Sequence, residues 1–504
     1  MIWPFRRRPA PAPAEPARSR PSQFVRSFRA ARPDRLAGGF GAFPTSGREE
    51  MRREIRGLIQ HARHGAQNFD LARHYEMLIR RHVIGPHGVR LQMDVWDGDE
   101  THRDKRANAA IEKAWRSWGR RGSCTVCGRL SWWAVENMVA TALAREGNAL
   151  IRLHRGAGRG PFGFQVEPLS FDMLDLDYSG PLAGGGWVES GIEHGAGGQI
   201  VAYHVWNIHP AETTRPEPRV RVRVSAADML HVTVPEEIGQ LFGTPRAATS
   251  LRLMNMSERY QEAAMTAAHY GAANMVFFKQ QDQTGQLSSP ADTEIPIDEI
   301  EAGTMAALPP GMEPVAWGGN YPDAAVDPFM RYMNTSISAG MGVAAETLTG
   351  DLSRANFSSL RAGKGEERDE WRMLQSAVIE ALHDPVFSAW LPLALLSGHL
   401  PGLSGLDIDR LSAPVWRPRG WPSVNPKDDA MAHQIEIALG LKSASEIAAE
   451  WGRDYEDICA DRAAERETLR EYGLPEPNIQ LPGVQATVDP EIDGGDDDEE
   501  NAAR

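Results

Sequence analysis

The sequence predicts an α+β chain, and three features carry that expectation. Short alternating strands crowd residues 148–234, a helix-forming run without proline fills 251–274, and helical periodicity runs through 427–472. At 504 residues the chain is too long for one ordinary core, so more than one packed unit is expected.

Residues 48–84 read as helices, with Leu58, Leu71, Met77, Leu78 and Val83 on apolar faces. Gly85-Pro86-His87-Gly88 breaks them, and residues 89–93 form a strand. Short amphipathic helices follow at 111–118 and 132–146. Strands at 149–153, 200–205 and 220–224 are separated by glycine-rich turns such as Gly184-Gly185-Gly186, the pattern of an antiparallel region. After Thr244-Pro245 the chain becomes one long helix rich in Ala, Met, Glu and Gln. At about 1.5 Å per residue it spans roughly 35–40 Å. Ala263, Ala264, Ala267, Ala268, Ala272 and Ala273 give its second half a small-residue stripe, fit either for an internal core face or for contact with a neighbouring subunit. Residues 275–317 read as strand and loop, 328–339 as helix ending at Gly340 and Gly342, and 368–382 as helix again. In the last helical part Ile435, Ile437, Leu439, Leu441, Ile447, Trp451 and Ile458 supply the apolar residues, and Ser445-Glu446 after Gly440 opens a new helix.

The two ends carry opposite charge. Nine arginines lie between Arg6 and Arg35, opposed only by Glu15 and Asp34, so residues 1–45 are expected to be a disordered basic tail. Residues 476–504 form an acidic counterpart containing Asp496-Asp497-Asp498-Glu499-Glu500. Both read as solvated tails or as segments that dock a partner during assembly.

Composition narrows the partners. Apolar residues at 41% and charged ones at 24% describe a soluble globular chain. A formal charge of −14 offers no overall surplus of Lys and Arg to set against phosphates, so any contact with DNA is expected to be loose. The most apolar stretch, residues 386–396, is short and contains a proline, so no membrane span is expected. No apolar core of a signal peptide follows the N-terminal arginines. Three cysteines cannot make a disulfide framework, which fits a reducing compartment.

No reaction emerges from the motifs. Ala362-Gly363-Lys364-Gly365 lacks the hydroxyl residue and the earlier glycine of a phosphate-binding loop. Gly402-Leu403-Ser404-Gly405 misses the spacing of a serine nucleophile elbow. Cys124-Thr125-Val126-Cys127 has only Cys459 as a further thiol and no histidine at finger-like spacing, so two free thiols or an incomplete metal or redox site are the alternatives. No catalytic residue, cofactor or metal is expected.

One block changes the argument. Ile337-Ser338-Ala339-Gly340-Met341-Gly342-Val343 leads into Glu346-Thr347-Leu348-Thr349-Gly350-Asp351-Leu352-Ser353 and then Asn356-Phe357-Ser358-Ser359-Leu360-Arg361. This closely resembles the signature of lambda-type tailed-bacteriophage portal proteins: a helix ending in Gly-x-Gly, a Leu-x-Gly-Asp loop, an Asn-aromatic-Ser-Ser-x-Arg step and a long polar helix. Weaker counterparts occur in the same order at Cys127 to Trp132, Glu146-Gly147-Asn148, Gly191-Ile192-Glu193, Val201 to Val205, and Gln240 to Pro245. At the Ile84 to Gly88 turn the match is only approximate. Collinear similarity covers residues 50–475.

The resemblance implies a non-enzymatic ring of about twelve subunits at one capsid vertex, built by head-to-tail contacts. In it residues 46–244 form an α+β wing, 245–274 a first stem helix, 275–322 a clip, 323–343 a second stem helix and 344–357 a tunnel loop. Residues 358–425 return to the wing and 426–475 make a helical crown. It further implies a virion protein assembled in the bacterial host cytoplasm. Double-stranded DNA would pass non-specifically through the channel during packaging and ejection. The partners would be the terminase large subunit, the major capsid or scaffold protein and later the head-tail connector proteins. Thr347, Thr349, Ser353, Arg354, Asn356 and Arg361 would then face DNA, and Ala263, Ala264, Ala267 and Ala268 would pack between subunits. Arg354 and Arg361 either touch phosphates in passing or pair with Asp351 or Glu366. Another ring-forming head-tail adaptor is the alternative, but adaptors are usually far shorter.

Overall fold

The computed structural model describes residues 46–98, 102–272, 276–280, 312–316, 324–353, 356–403, 405–421 and 426–475. The basic and acidic tails, and the middle of the segment between the two long helices, lie outside these.

Helix α1 (Gly47–Asn68) carries Glu49 and Glu50 in its first turn, where the helix dipole favours negative charge, and buries a stripe of Ile55, Ile59, Ala62 and Ala66. Extended backbone at Phe69 turns the chain into α2 (Asp70–Ile79), which loosens into a π turn at Arg80–Ile84 and stops at Gly85 with φ +76°. Strand β1 (Arg90–Met93) leads to α3 (Lys105–Trp118), capped by the Asp104 side chain, and α4 (Trp132–Glu146), capped by Ser131. The third helix is six residues longer at its start than its periodicity suggested, because Asp104 supplies the cap.

Alternation over 148–234 yields eight strands: β2 (Asn148–Arg155), β3 (Phe164–Leu169), β4 (Gly180–Pro181), β5 (Trp187–Glu189), β6 (Ile192–His194), β7 (Ile200–Trp206), β8 (Arg221–Ser225) and β9 (Met229–Thr233). They form two antiparallel sheets, ordered β3-β2-β9 and β4-β5-β6-β7-β8. Inward residues of both sheets meet α1 in a second core around Ile55, Ile59, Leu150, Phe171, Tyr203 and Phe242.

The long helix α5 (Ala248–Ala272) is followed by β10 (Val276–Gln280) and β11 (Met312–Ala316), which pair antiparallel with Val276 opposite Ala316. Then come α6 (Val326–Gly340), a single turn α7 (Ala345–Thr349), and α8 (Phe357–Val378), which passes through a π turn at Ile379–His383 into α9 (Asp384–Leu396). The apolar stretch at 386–396 is thus a core helix, with Val386, Phe387, Trp390, Leu391 and Ala394 all sealed from solvent. Among the described residues no helix is long and apolar enough to cross a membrane.

Trp390 anchors an aromatic cluster: its ring lies 5.1 Å from that of Trp115, which lies 4.7 Å from Trp118. Beside it, His383 Nε2 and Glu136 Oε1 meet at 2.7 Å, both buried, and Glu136 also accepts from the Val89 backbone N–H. A buried carboxylate needs such partners to be tolerated. A short helix α10 (Ile408–Leu411) precedes β12 (Pro414–Arg417), which returns to pair with β1, joining the first and last parts of this unit.

The C-terminal helices α11 (Pro426–Ala438), α12 (Ala444–Glu450) and α13 (Tyr455–Glu471) bury only Ala448. Ser443 and Glu446 form a capping box that starts α12 at Ala444, one residue before the expected opening at Ser445. The apolar residues of this region do not make a core. Ile435, Ile437, Leu439 and Leu441 are 46–71% exposed, because three short helices in one chain cannot enclose them. The group is tied to the rest of the chain by Gln92 of β1 donating to the Asp454 carboxylate and by Arg103 to Glu456 at 3.0 Å.

Candidate functional site

Helices α5 and α6 run antiparallel. Ser250, near the start of α5, donates its hydroxyl to the Ile337 carbonyl near the end of α6 at 2.9 Å, and Thr249 donates to the Gly340 carbonyl at 3.0 Å. Farther along, Tyr260 meets Phe329 edge-on at 5.1 Å. The two glycines that end α6 do different work. A Cβ on Gly340 would sit 2.3 Å from the Ser250 hydroxyl oxygen, so close approach requires glycine there. Gly342 has φ +68°, which lets the chain turn out of the helix.

The long helix changes character along its length. Leu251, Met254 and Ser257 are buried against the body of the protein, but no residue from 258 to 269 is. Ala263 is exposed, and Ala264, Ala267 and Ala268 are half-buried. These four alanines are therefore not a core face of the single chain.

The segment expected as an open polar loop at 344–357 is partly helical. The turn α7 is pinned by Leu348, 1% exposed, and by a 2.6 Å contact between His74 Nδ1 and the Leu348 carbonyl. Thr347 donates to the Glu367 carboxylate at 3.0 Å, and Thr349 donates back to the Ala345 carbonyl at 2.7 Å. Gly350 caps the turn at φ +74°. Past it, the Asp351 N–H donates to Thr349 and the Ser353 N–H to Asp351, the local bonding typical of tight turns. Asp351 is held by Arg331 of α6 at 2.8 Å, and Arg331 also pairs with Asp327 at 2.9 Å.

Of the residues expected to face DNA, Ser353 and Asn356 are exposed, whereas the hydroxyl protons of Thr347 and Thr349 are committed within the fold. Arg354 and the Arg361 side chain lie outside the described residues. Burial raises the Glu367 carboxyl above its ordinary range, against the lowering effect of the bonds from Thr347 and the Ala344 backbone.

Cys124 is buried, with its thiol against the Gly119 and Leu130 carbonyls and pushed up to about 12 by burial, while Cys127 is exposed. Among the described residues no group of three or more His, Cys, Asp or Glu side chains converges as a metal site would.

The family model for phage portal proteins of the lambda family matches residues 33–375, more than half of the chain. The chain belongs to the lambda family of phage portal proteins. Over 498 residues it is 29% identical to a probable portal protein of Halomonas phage phiHAP-1, covering 97% of this chain and 95% of that one. Among solved structures it is similar to the neck of an empty gene transfer agent particle computed with sixfold symmetry. That match has 16% identity and a TM-score of 0.44, and covers 83% of this chain and 97% of the other. It is also similar to an HK97-family phage portal protein from Corynebacterium diphtheriae, with 12% identity and a TM-score of 0.31, covering 65% and 86%.

In this portal protein two segments matched only weakly in sequence meet in space. The Asn148 side chain accepts from the Gly243 N–H and donates to the Gly243 carbonyl, both at 2.9 Å, as a strand neighbour would. Gly147 and Gly243 must both be glycine: a Cβ on either would fall within 2.5 Å of the facing backbone. Collinear order hinted at this pair, but its chemistry could not be read from either segment alone.

Proposed function

We propose that about twelve copies of the chain close into a ring at one capsid vertex, through which double-stranded DNA enters during packaging and leaves at ejection. The single observation that carries this is the α5–α6 pair. Its 258–269 stretch contains no buried residue, and its half-buried alanines leave room for another helix to approach closely. Neighbouring copies of the same pair supply that helix, and the exposed Ile435, Ile437, Leu439 and Leu441 find neighbours in the same ring.

In this arrangement residues 46–244 and 358–425 are the wing, α5 and α6 the stem, 275–322 the clip and 426–475 the crown. The terminase large subunit docks on the clip during packaging, and head-tail connector proteins replace it. Residues 344–357 sit nearest the DNA. Ser353 and Asn356, both exposed in that segment, face it, and the acidic chain as a whole lets DNA slide. The subunit is a structural part of the virion with no reaction of its own.

Imaging of the purified full-length chain tests this. Hollow rings of about twelvefold symmetry are expected. Compact monomers without a channel overturn the proposal.

A further inference from the structure

A cleft of about 510 Å³ lies beside α7, walled by the π turn after α2, the middle of α8 and the segment after β12. Its cations come from all three: Arg81, Lys364 and Arg368, and Arg419. Of the lining residues Glu346 and Glu367 oppose them, and Asp429, which is not on the cleft wall, also acts on Arg368, so the excess rests on Arg81, Lys364 and Arg419. Glu367 is turned inward to Thr347. Among the described residues no carboxylate pairs with Arg81, Lys364 or Arg419, although the chain carries an excess of acids. Arg419 is braced by donating to the Arg81 carbonyl, which holds the two guanidinium-bearing segments together.

His82, on the cleft wall, shows how the field converges. Its ring is stacked 5.7 Å from Trp371, and its Nδ1 accepts from Trp421 Nε1 at 2.9 Å. Burial first, and then the charges of Arg419, Arg81, Arg368 and Lys364, lower it to about 4, so it stays neutral and adds no counter-charge. Burial and neighbouring cations also lower Arg419. An excess of like charge costs free energy in the empty protein, and an anion entering the cleft relieves that cost.

We propose that this cleft takes backbone phosphates of DNA, giving the portal a salt-sensitive brake beside residues 344–357; the inference rests on the proposed function. The cleft accommodates the phosphates along one strand's edge and not a whole duplex, so contact is with the backbone and carries no sequence preference. A run of carboxylates such as residues 496–500 could satisfy the same charges. The cleft's position against α7, beside the loop nearest the DNA, favours phosphate.

The test uses purified full-length rings, confirmed by imaging, and a short labelled DNA duplex followed by fluorescence anisotropy over a salt series. The double variant Arg81→Gln/Arg419→Gln should bind about tenfold or more weakly, with the slope of log affinity against log salt reduced by about 2. Lys364→Gln, at an exposed helix position, reduces the slope by about 1 and serves if the double variant fails to assemble. Glu346→Gln, which removes an opposing charge, should strengthen binding. Wild-type rings that bind no duplex, or variants that bind it with unchanged affinity and slope, overturn the inference. So does loss of binding to a synthetic peptide of residues 485–504 while duplex binding stays intact. Failure of the wild-type chain to form rings counts instead against the proposed function, and imaging reads it separately.

Discussion

Ser250 and Gly340 touch across the two antiparallel helices so closely that any side chain on Gly340 would displace the Ser250 hydroxyl. A Gly340→Ala chain must rotate that hydroxyl and give up its bond to the Ile337 carbonyl, and Thr249 is crowded as well. The expected loss is about 1–2 kcal/mol, read as a lower urea midpoint. Adding Ser250→Ala removes the obstructing atom, so the double variant should be less destabilised than the sum of the two single changes. Strict additivity would show that the contact does not set the helix spacing.

Asn148 bridges both backbone groups of Gly243, and its Oδ1 also lies 3.0 Å from His231 Nε2. Asn148→Ala leaves a buried N–H and carbonyl unpaired, at a cost of about 2–4 kcal/mol by chemical denaturation. Asn148→Asp keeps the acceptor but loses the donor and should not restore stability. Near-wild-type stability of either variant would contradict this role.

Glu367 of α8 accepts from Thr347 of α7, and burial raises its carboxyl above the ordinary range. A carboxyl with a raised folded pKa contributes stability that is fully present below its unfolded value and lost as pH rises through the folded one. Wild type therefore carries the cost of a buried charge at neutral and higher pH, and Glu367→Gln does not. The variant should unfold at higher urea than wild type at pH 8, with the gap closing as pH falls toward 4.5. A gap independent of pH would refute the assignment.

Much of this architecture was legible. Period-two alternation marked the strands between 148 and 234, because a half-buried antiparallel sheet imposes it. The run at 251–274 was helix by propensity alone. What escaped was set by distant partners. Gln92 and Arg417, bonded at 2.6 Å, are 325 positions apart, and neither strand shows alternation strong enough to announce the pairing. The turn α7 is five residues long, too short for helical periodicity, and exists because Leu348 has a core to enter. Helix α8 begins eleven residues before the expected start at 368, since packing of Trp371, Leu374 and Val378 overrides the poor propensity of the two serines and two glycines between 358 and 365. In the site, the Gly-x-Gly signature was visible as a motif, but only the structure separates a glycine needed for contact from one needed for φ.

The alanine stripe gives a prediction that separates fold from assembly. Ala264 and Ala268 are half-buried on the part of α5 in which no residue from 258 to 269 is buried. Ala264→Leu/Ala268→Leu should leave stability of the dissociated chain within about 0.5 kcal/mol. Ring formation, followed by sedimentation velocity, should be lost. Unimpaired rings would remove these alanines from the subunit contact.

The most direct measurement is a three-dimensional reconstruction of the assembled ring by electron cryo-microscopy. It should show α5 and α6 of every copy around a central channel, residues 344–357 at its narrowest level, and Ser353 and Asn356 facing the axis. A ring whose narrowest level is formed by another segment, or whose α5–α6 pairs point away from the axis, would contradict the account.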